Sequence, residues 1–180
     1  MNYLPFEGSV WGIEHLVKVA KESPTEGCFV EVGVYRGGTA SYLTELAEQR
    51  SQQIFLYDTF SGLPYSDADH GDSHGVGAFA NGDYEGIKNA LPYANVIKGI
   101  FPDSAVDMPK VAFAHLDVDQ YKSYVDCINY LKPRMVQGGI MWFDDYELGG
   151  AKKAINELIG EDKLEWVRHD NGVYKVYTRF

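Results

Sequence analysis

The sequence predicts an α/β fold: one mostly parallel sheet of seven strands, helices on both faces, and an antiparallel last strand. Three observations carry this expectation. Short runs rich in β-branched and aromatic residues alternate with segments of helical spacing through most of the chain. The runs are apolar at nearly every position, which is the pattern of strands covered on both faces. Near the end, two further strand-like runs flank His169-Asp170-Asn171-Gly172, and Asn-Gly is a strong hairpin signal.

The elements follow in order. Residues 1–26 form an N-terminal helical segment, with a helix within 2–23 packed on the sheet or over the site. Residues 28–32 (C-F-V-E-V) are the first strand, ending at Gly33. Residues 39–49 place Ala40, Leu43, Leu46 and Ala47 at helical spacing. Residues 54–57 are a second strand halted at Asp58, 83–91 a short helix, and 95–98 a third strand. Residues 111–116 are the fourth strand, 121–131 a helix stopped by Pro133, and 140–143 the fifth strand. Residues 151–159 are the last helix, and 164–168 and 173–178 are the arms of the terminal hairpin. A parallel sheet with that ending resembles the Rossmann-like class I methyltransferase fold; ordinary dinucleotide dehydrogenases lack it. Residues 59–82, rich in Gly, Asp and Ser, interrupt the alternation, and a connection that long reads as a lid loop.

A chain of 180 residues reads as a single domain, 1–180, and 45% hydrophobic residues supply a core without disulfides. Sixteen basic against 26 acidic residues give a net charge of −10, which argues against nucleic acid or an anionic membrane as a partner. Cys28 and Cys127 sit in apolar stretches without metal-type spacing and read as reduced core thiols. The first residues lack the basic-then-apolar pattern of a secretory signal. No apolar stretch approaches the ~20 residues of a membrane-spanning helix, so the expectation is a cytoplasmic protein. Tyr3, Phe6 and Trp11 read as core packing, or as the partner surface of a homo-oligomer.

Three motifs carry chemistry. Residues 30–39 (V-E-V-G-V-Y-R-G-G-T) lie at a strand-to-helix turn, where Gly33, and again Gly37 and Gly38, let the backbone approach a ligand. The spacing is not the G-x-G-x-x-G of pyrophosphate binders. Glu31 would repel a phosphate and suits a ligand with an ammonium or sulfonium group; a merely tight turn is the plain alternative. Asp58, ending the second strand, is placed to take the two hydroxyls of a ribose, with a turn aspartate as the alternative. Together these mark a nucleoside pocket at the C-terminal edge of the sheet.

The third motif is acidic. Asp117 in H-L-D-V-D-Q-Y and Asp144 and Asp145 in W-F-D-D-Y follow the fourth and fifth strands, so three carboxylates gather beside that pocket. No nearby Arg or Lys in sequence neutralises them, and an all-oxygen set selects Mg²⁺, Mn²⁺ or Ca²⁺ over zinc; capping is the alternative. Asp119 reads as the N-cap of the helix starting near Gln120. His115 reads as a core or supporting residue. His70 and His74, with Asp67, Asp69 and Asp72, read as lid residues contacting a polar acceptor more readily than as a metal cluster. His15 and His169 read as surface residues.

The runs E-V-G-V-Y-R-G-G, D-T-F-S-G-L-P, G-I-F-P-D-S, L-D-V-D-Q-Y-K-S and G-G-I-M-W-F-D-D-Y, in that order between about residues 27 and 157, resemble the macrocin O-methyltransferase family. The resemblance implies an S-adenosylmethionine-dependent, Mg²⁺-assisted enzyme that methylates a hydroxyl of a sugar, glycoside or other diol-like small molecule. It implies a cofactor pocket at Glu31, Gly33, Tyr35, Gly37, Thr39, Asp58, Thr59 and Phe60, with residues 99–104 helping to close it. It also implies a metal on Asp117, Asp144 and Asp145, with Asp117 as general base. Catechol O-methyltransferase, more distant in motif, has a similar acidic site and glycine turn. Twenty-seven residues precede the first strand here and the lid is shorter than is usual in the family, so a macrolide acceptor is not carried over. Two other readings stand beside this one. An NAD-type Rossmann oxidoreductase is disfavoured by the glycine spacing, Glu31 and the hairpin. A catalytically silent nucleoside-binding or assembly protein is disfavoured by the gathered carboxylates.

Overall fold

The computed structural model describes residues 3–5 and 9–180. In chain order the elements are α1 (Val10–Lys21), β1 (Cys28–Val32), α2 (Gly38–Gln49), β2 (Ile54–Asp58), α3 (Tyr84–Ala90), β3 (Asn95–Lys98), β4 (Val111–Leu116), α4 (Tyr121–Leu131), β5 (Met135–Phe143), α5 (Gly149–Leu158), β6 (Glu165–Arg168) and β7 (Tyr174–Arg179). The sheet order is β3-β2-β1-β4-β5-β7-β6. The first five strands pair in parallel, and β7 lies antiparallel to both β5 and β6. The hairpin therefore inserts its second arm into the sheet, as the Asn171-Gly172 turn led us to expect. Strand order reverses between β1 and β4, so their C-terminal ends flank the crevice where open α/β sheets bind ligands.

Alternation along the strands divides the core into two layers. Val30, Val32, Tyr57, Leu116, Met141 and Phe143 pack toward α4 and α5. Phe29, Leu56, Phe113, Trp142 and Tyr177 pack toward α1 and α2. With both faces dry, no strand position in β1 or β4 is left for a solvated residue, which is why those runs read as apolar everywhere but at Glu31 and His115, which pair with each other.

Several boundaries differ from the sequence reading. β5 begins at Met135, before residue 140, because Gly138 and Gly139 interrupt the apolar run while the backbone continues in the sheet; the β4–β5 register shifts between Val111 and Phe113 to accommodate it. α1 occupies Val10–Lys21, with Ser9 accepting the Gly12 N–H at 3.0 Å as its cap. His15 and His169 are not simply surface residues: Trp11 contacts both rings, at centroid distances of 4.6 and 5.2 Å. Tyr3 stacks on Tyr42 at 4.2 Å; Phe6 lies outside the described residues. Among the described residues no helix is long and apolar enough to cross a membrane.

The long loop 59–82 is tied down at three points. Asp72 Oδ1 accepts the Tyr121 N–H at 2.7 Å, Gln120 exchanges hydrogen bonds with the Tyr65 backbone, and the Gly150 N–H donates to Gly71 O. The cap of α4 thus comes from the loop. Asp119 is not that cap; the helix starts after Gln120, whose own side chain is turned to the loop.

Candidate active site

Two cavities open at the C-terminal edge of the sheet and share Tyr35 and Asp117. The larger, about 220 Å³, lies between Asp58 and Thr59, the segment Gly99–Ile100–Phe101, the Asp117–Asp119 segment and the lid residues Leu63, Pro64 and Phe79. The smaller, about 180 Å³, lies between the N-terminal end of α1, the turn residues Arg36, Gly38 and Thr39, and the trio Asp117, Asp144 and Lys175. Tyr35, Phe60, Phe79 and Asp119 all hold left-handed backbone at φ 49–61°. Non-glycine residues at positive φ are strained, and such strain collects at functional sites.

The glycine turn works differently from the simple expectation. A Cβ on Gly33 would fall 1.7 Å from the Asp117 carbonyl oxygen, with φ at +92°. The missing side chain therefore lets the ends of β1 and β4 close on each other, and only then does the turn border the cavities. Asp58 organises that turn: its Oδ2 accepts the Val34 and Tyr35 N–H groups, each at 2.8 Å, and its Oδ1 accepts the Phe60 N–H at 2.6 Å.

Of the eight residues expected around the cofactor, Gly33, Tyr35, Asp58 and Thr59 line the larger cavity and Thr39 the smaller. Three do not line either. Gly37 is the left-handed residue that starts α2. Phe60 is buried against Tyr84. Glu31 is fully buried and accepts hydrogen bonds from Thr39 Oγ1 and, at 2.9 Å, from His115 Nδ1. One Glu31 oxygen is thus engaged inside the protein, while Oε2 has no hydrogen-bond partner.

The carboxylates do converge. Ligand oxygens of Asp117, Asp144 and Asp145 lie within 4.8 Å of one another, the one such group among the described residues. Oxygens held 2.0–2.6 Å from one hard cation sit no more than about 4–5 Å apart, so the set fits such an ion. Each has a distinct environment. Asp145 Oδ2 accepts the Val118 and Asp119 N–H groups and the Tyr124 hydroxyl, at 2.8–3.1 Å, which fixes the turn after β4. Asp144 Oδ2 lies 2.8 Å from Lys175 Nζ. No such donor reaches the Asp117 carboxylate among the described residues, and burial with the Asp145 and Asp144 charges raises its pKa well above the usual range.

The same physics acts on its neighbours. Burial and the charges of Asp145 and Asp144 raise Asp119 to about 7, and burial with Asp144 raises Asp145 to about 6. For Asp144, burial opposes ionisation, but His115 and Lys175 outweigh it and hold the carboxyl below its ordinary value. For His115, burial disfavours the imidazolium, yet Asp144 and Glu31 together raise it to about 10.

No Arg or Lys near the trio in sequence neutralises it, but Lys175 of β7 reaches Asp144 across the fold. Its distance in sequence hid it, and the terminal hairpin that returns β7 beside β5 was the available signal. Among the described residues the lid histidines belong to no group of three or more metal-ligating side chains. His70 pairs with Asp67 at 2.7 Å and stacks on Tyr121 at 4.1 Å. His74 approaches Asp119 at 3.9 Å and packs on Phe79. Asp72 is spent on α4.

Comparison with known proteins adds the following. A family model described as macrocin-O-methyltransferase (TylF) matches residues 12–170. A tetracenomycin-C rhamnosyl 4'-O-methyltransferase from Streptomyces olivaceus is 25% identical over 170 residues, covering 82% of this chain and 64% of the relative. The mycinamicin III 3''-O-methyltransferase of Micromonospora griseorubida is 22% identical, covering 81% and 65%. The chain thus spans just under two thirds of the length of these relatives. Among solved structures, the O-methyltransferase NovP matches with a TM-score of 0.75 at 20% identity, covering 95% of this chain and 80% of that one. Calicheamicin methyltransferase CalS11 matches at 0.74 and 20%, covering 94% and 77%. These likenesses establish the class I methyltransferase fold.

Proposed function

Because the chain belongs to the macrocin-O-methyltransferase family, we propose that it transfers a methyl group from S-adenosylmethionine to a hydroxyl of a sugar, glycoside or other diol-like small molecule. A divalent cation, Mg²⁺ ahead of Mn²⁺ or Ca²⁺, would be held by Asp117, Asp144 and Asp145. The observation that carries this reading is the meeting of these three carboxylates at Asp117, which lines both cavities. The acidic net charge supports a small-molecule acceptor over nucleic acid, and the buried free thiols Cys28 and Cys127 support a reducing, cytoplasmic setting.

Asp58 keeps acceptor capacity on Oδ1 after taking one N–H there, enough for a ribose hydroxyl. Ile100 and Phe101 offer an apolar wall to an adenine, and Thr39 and Arg36 border the place for the amino-acid end of the donor. Transfer is an in-line displacement: the S–CH₃ bond breaks as O–CH₃ forms, sulfur keeps the electron pair, and the hydroxyl proton leaves. When bound, the cation supplies Lewis-acid polarisation of the acceptor and a template for vicinal oxygens. Asp117, whose carboxylate takes no charged donor among the described residues, is the proposed general base, and Asp119, two residues on and lining the larger cavity, is the alternative acceptor of the proton. Alignment of the reactants contributes up to about 7–11 kcal/mol in well-oriented cases, and Phe79 and Leu63 of the lid exclude water.

The test is calorimetry with S-adenosylhomocysteine, followed by turnover of deoxyhexose glycosides with Mg²⁺. Binding, and its weakening in Asp58→Asn, supports the reading; absence of binding by the folded protein overturns it.

A further inference from the structure

Glu31 and His115 are register partners on β1 and β4, both fully buried. The proposed chemistry leaves them unused, since neither lines a cavity. A buried ion pair gives little net stability over apolar residues of the same volume, so stability does not account for them. Each touches the site at one end. Thr39, bordering the smaller cavity, donates its hydroxyl to Glu31 Oε1, and His115 Nδ1 donates to the same oxygen at 2.9 Å. On its other side, His115 Nε2 faces Asp144 Oδ1 at 3.8 Å. Glu31 Oε2 and His115 Nε2 have no hydrogen-bond partner of their own. One chain of side chains thus runs from the start of α2, across two strands, to the acidic cluster.

We propose that Glu31 and His115 are positioning residues that couple the donor cavity to the acidic cluster, so that an S-adenosyl ligand and a divalent cation each bind more tightly in the presence of the other. The proposal rests on the methyltransferase reading and deepens it. Asp144 Oδ2 pairs with Lys175, while its Oδ1 accepts the Trp142 indole N–H at 3.5 Å and lies 3.8 Å from His115 Nε2, so a cation that draws on Asp144 moves it relative to His115. His115 cannot follow without leaving Glu31, and Glu31 cannot move without leaving Thr39. A ligand at either end fixes the same side chains, and the second ligand meets them already fixed. Linkage makes the effect equal in both directions.

The experiment measures Mn²⁺ binding by electron paramagnetic resonance and S-adenosylhomocysteine binding by calorimetry, each with and without the other ligand. S-adenosylhomocysteine carries no sulfonium, so direct repulsion from the cation is small. In the wild-type protein each ligand lowers the other's Kd by about fivefold or more. In His115→Asn, and in Thr39→Val, which leaves the Glu31–His115 pair in place, that factor falls to about one even where the separate affinities survive. Should His115→Asn not fold, Thr39→Val decides alone. A wild-type factor of one, or an unchanged factor in a folded variant, overturns the proposal. A wild-type protein that binds neither probe overturns the methyltransferase reading as well, so the two failures are distinguishable.

Discussion

Lys175 Nζ lies 2.8 Å from Asp144 Oδ2 and donates as well to the Asp144 carbonyl at 2.5 Å. The terminal hairpin thereby supplies a counter-charge to a cluster built by β4 and β5. Replacing it with Met leaves three gathered carboxylates without that cation. Hydrogen bonds to charged groups are worth about 1.5–3 kcal/mol, and Lys175→Met is expected to lose about that much stability in urea unfolding with EDTA. Saturating Mg²⁺ should restore most of the loss, because it replaces the missing charge. An equal loss with and without Mg²⁺ would count against the cluster as a cation site.

The metal-free protein should become less stable as pH rises. Asp119 at about 7 and Asp145 at about 6 keep protons that the unfolded chain gives up near its ordinary carboxylate pKa. The native state therefore binds more protons between about pH 4 and 7, and stability falls across that window. His115, raised to about 10, acts in the same direction: its contribution is complete below about pH 6.5 and is lost toward pH 10. Urea midpoints with EDTA are expected to be higher at pH 5 than at pH 8, with Mg²⁺ removing most of the difference. A midpoint that rises with pH in EDTA would contradict these assignments.

The lid is held through Asp72, which accepts the Tyr121 N–H at 2.7 Å and the Asp67 N–H at 2.9 Å. Asp72→Ala removes a helix cap and a loop tie together. Loss of a cap costs about 0.5–2 kcal/mol, and hydrogen exchange should quicken in residues 65–75 and the first turn of α4 while β1 and β4 stay protected. Unchanged exchange in the loop would show that it is held elsewhere.

Gly33→Ala tests the join of β1 and β4. The added carbon would sit 1.7 Å from the Asp117 carbonyl oxygen at a backbone angle that disfavours side chains. The strand ends must part, and a loss of about 3 kcal/mol or more, together with the loss of S-adenosylhomocysteine binding, is the expected result. A stable variant with unaltered binding would show that the turn tolerates separation.

Much of this was legible in the sequence because strands buried on both faces leave a continuous apolar record. The buried runs at 28–32 and 111–116 became β1 and β4 at those bounds, as the partly exposed edge run 95–98 became β3, and Asn171-Gly172 placed the hairpin. The start of β5 was not legible, since Gly138 and Gly139 have no side chain to mark it. At the site, aspartates ending neighbouring strands were bound to meet once the sheet was parallel. What sequence spacing could not show was long-range pairing: Glu31 with His115, Asp144 with Lys175, and Asp72 with α4 all join residues at least 31 positions apart. Glu31, read as facing a ligand, lines neither cavity because it pairs with His115 inside the sheet.

The most direct measurement of the central claim is Mn²⁺ titration of the wild-type protein and of Asp117→Asn, followed by electron paramagnetic resonance, with urea unfolding of both in EDTA. One saturable site per chain is expected in the wild type. Asp117→Asn is expected to lose that site, with equal or greater metal-free stability because a buried repulsion has been removed. Saturable binding of the same affinity in Asp117→Asn, or none in the folded wild type, would contradict it.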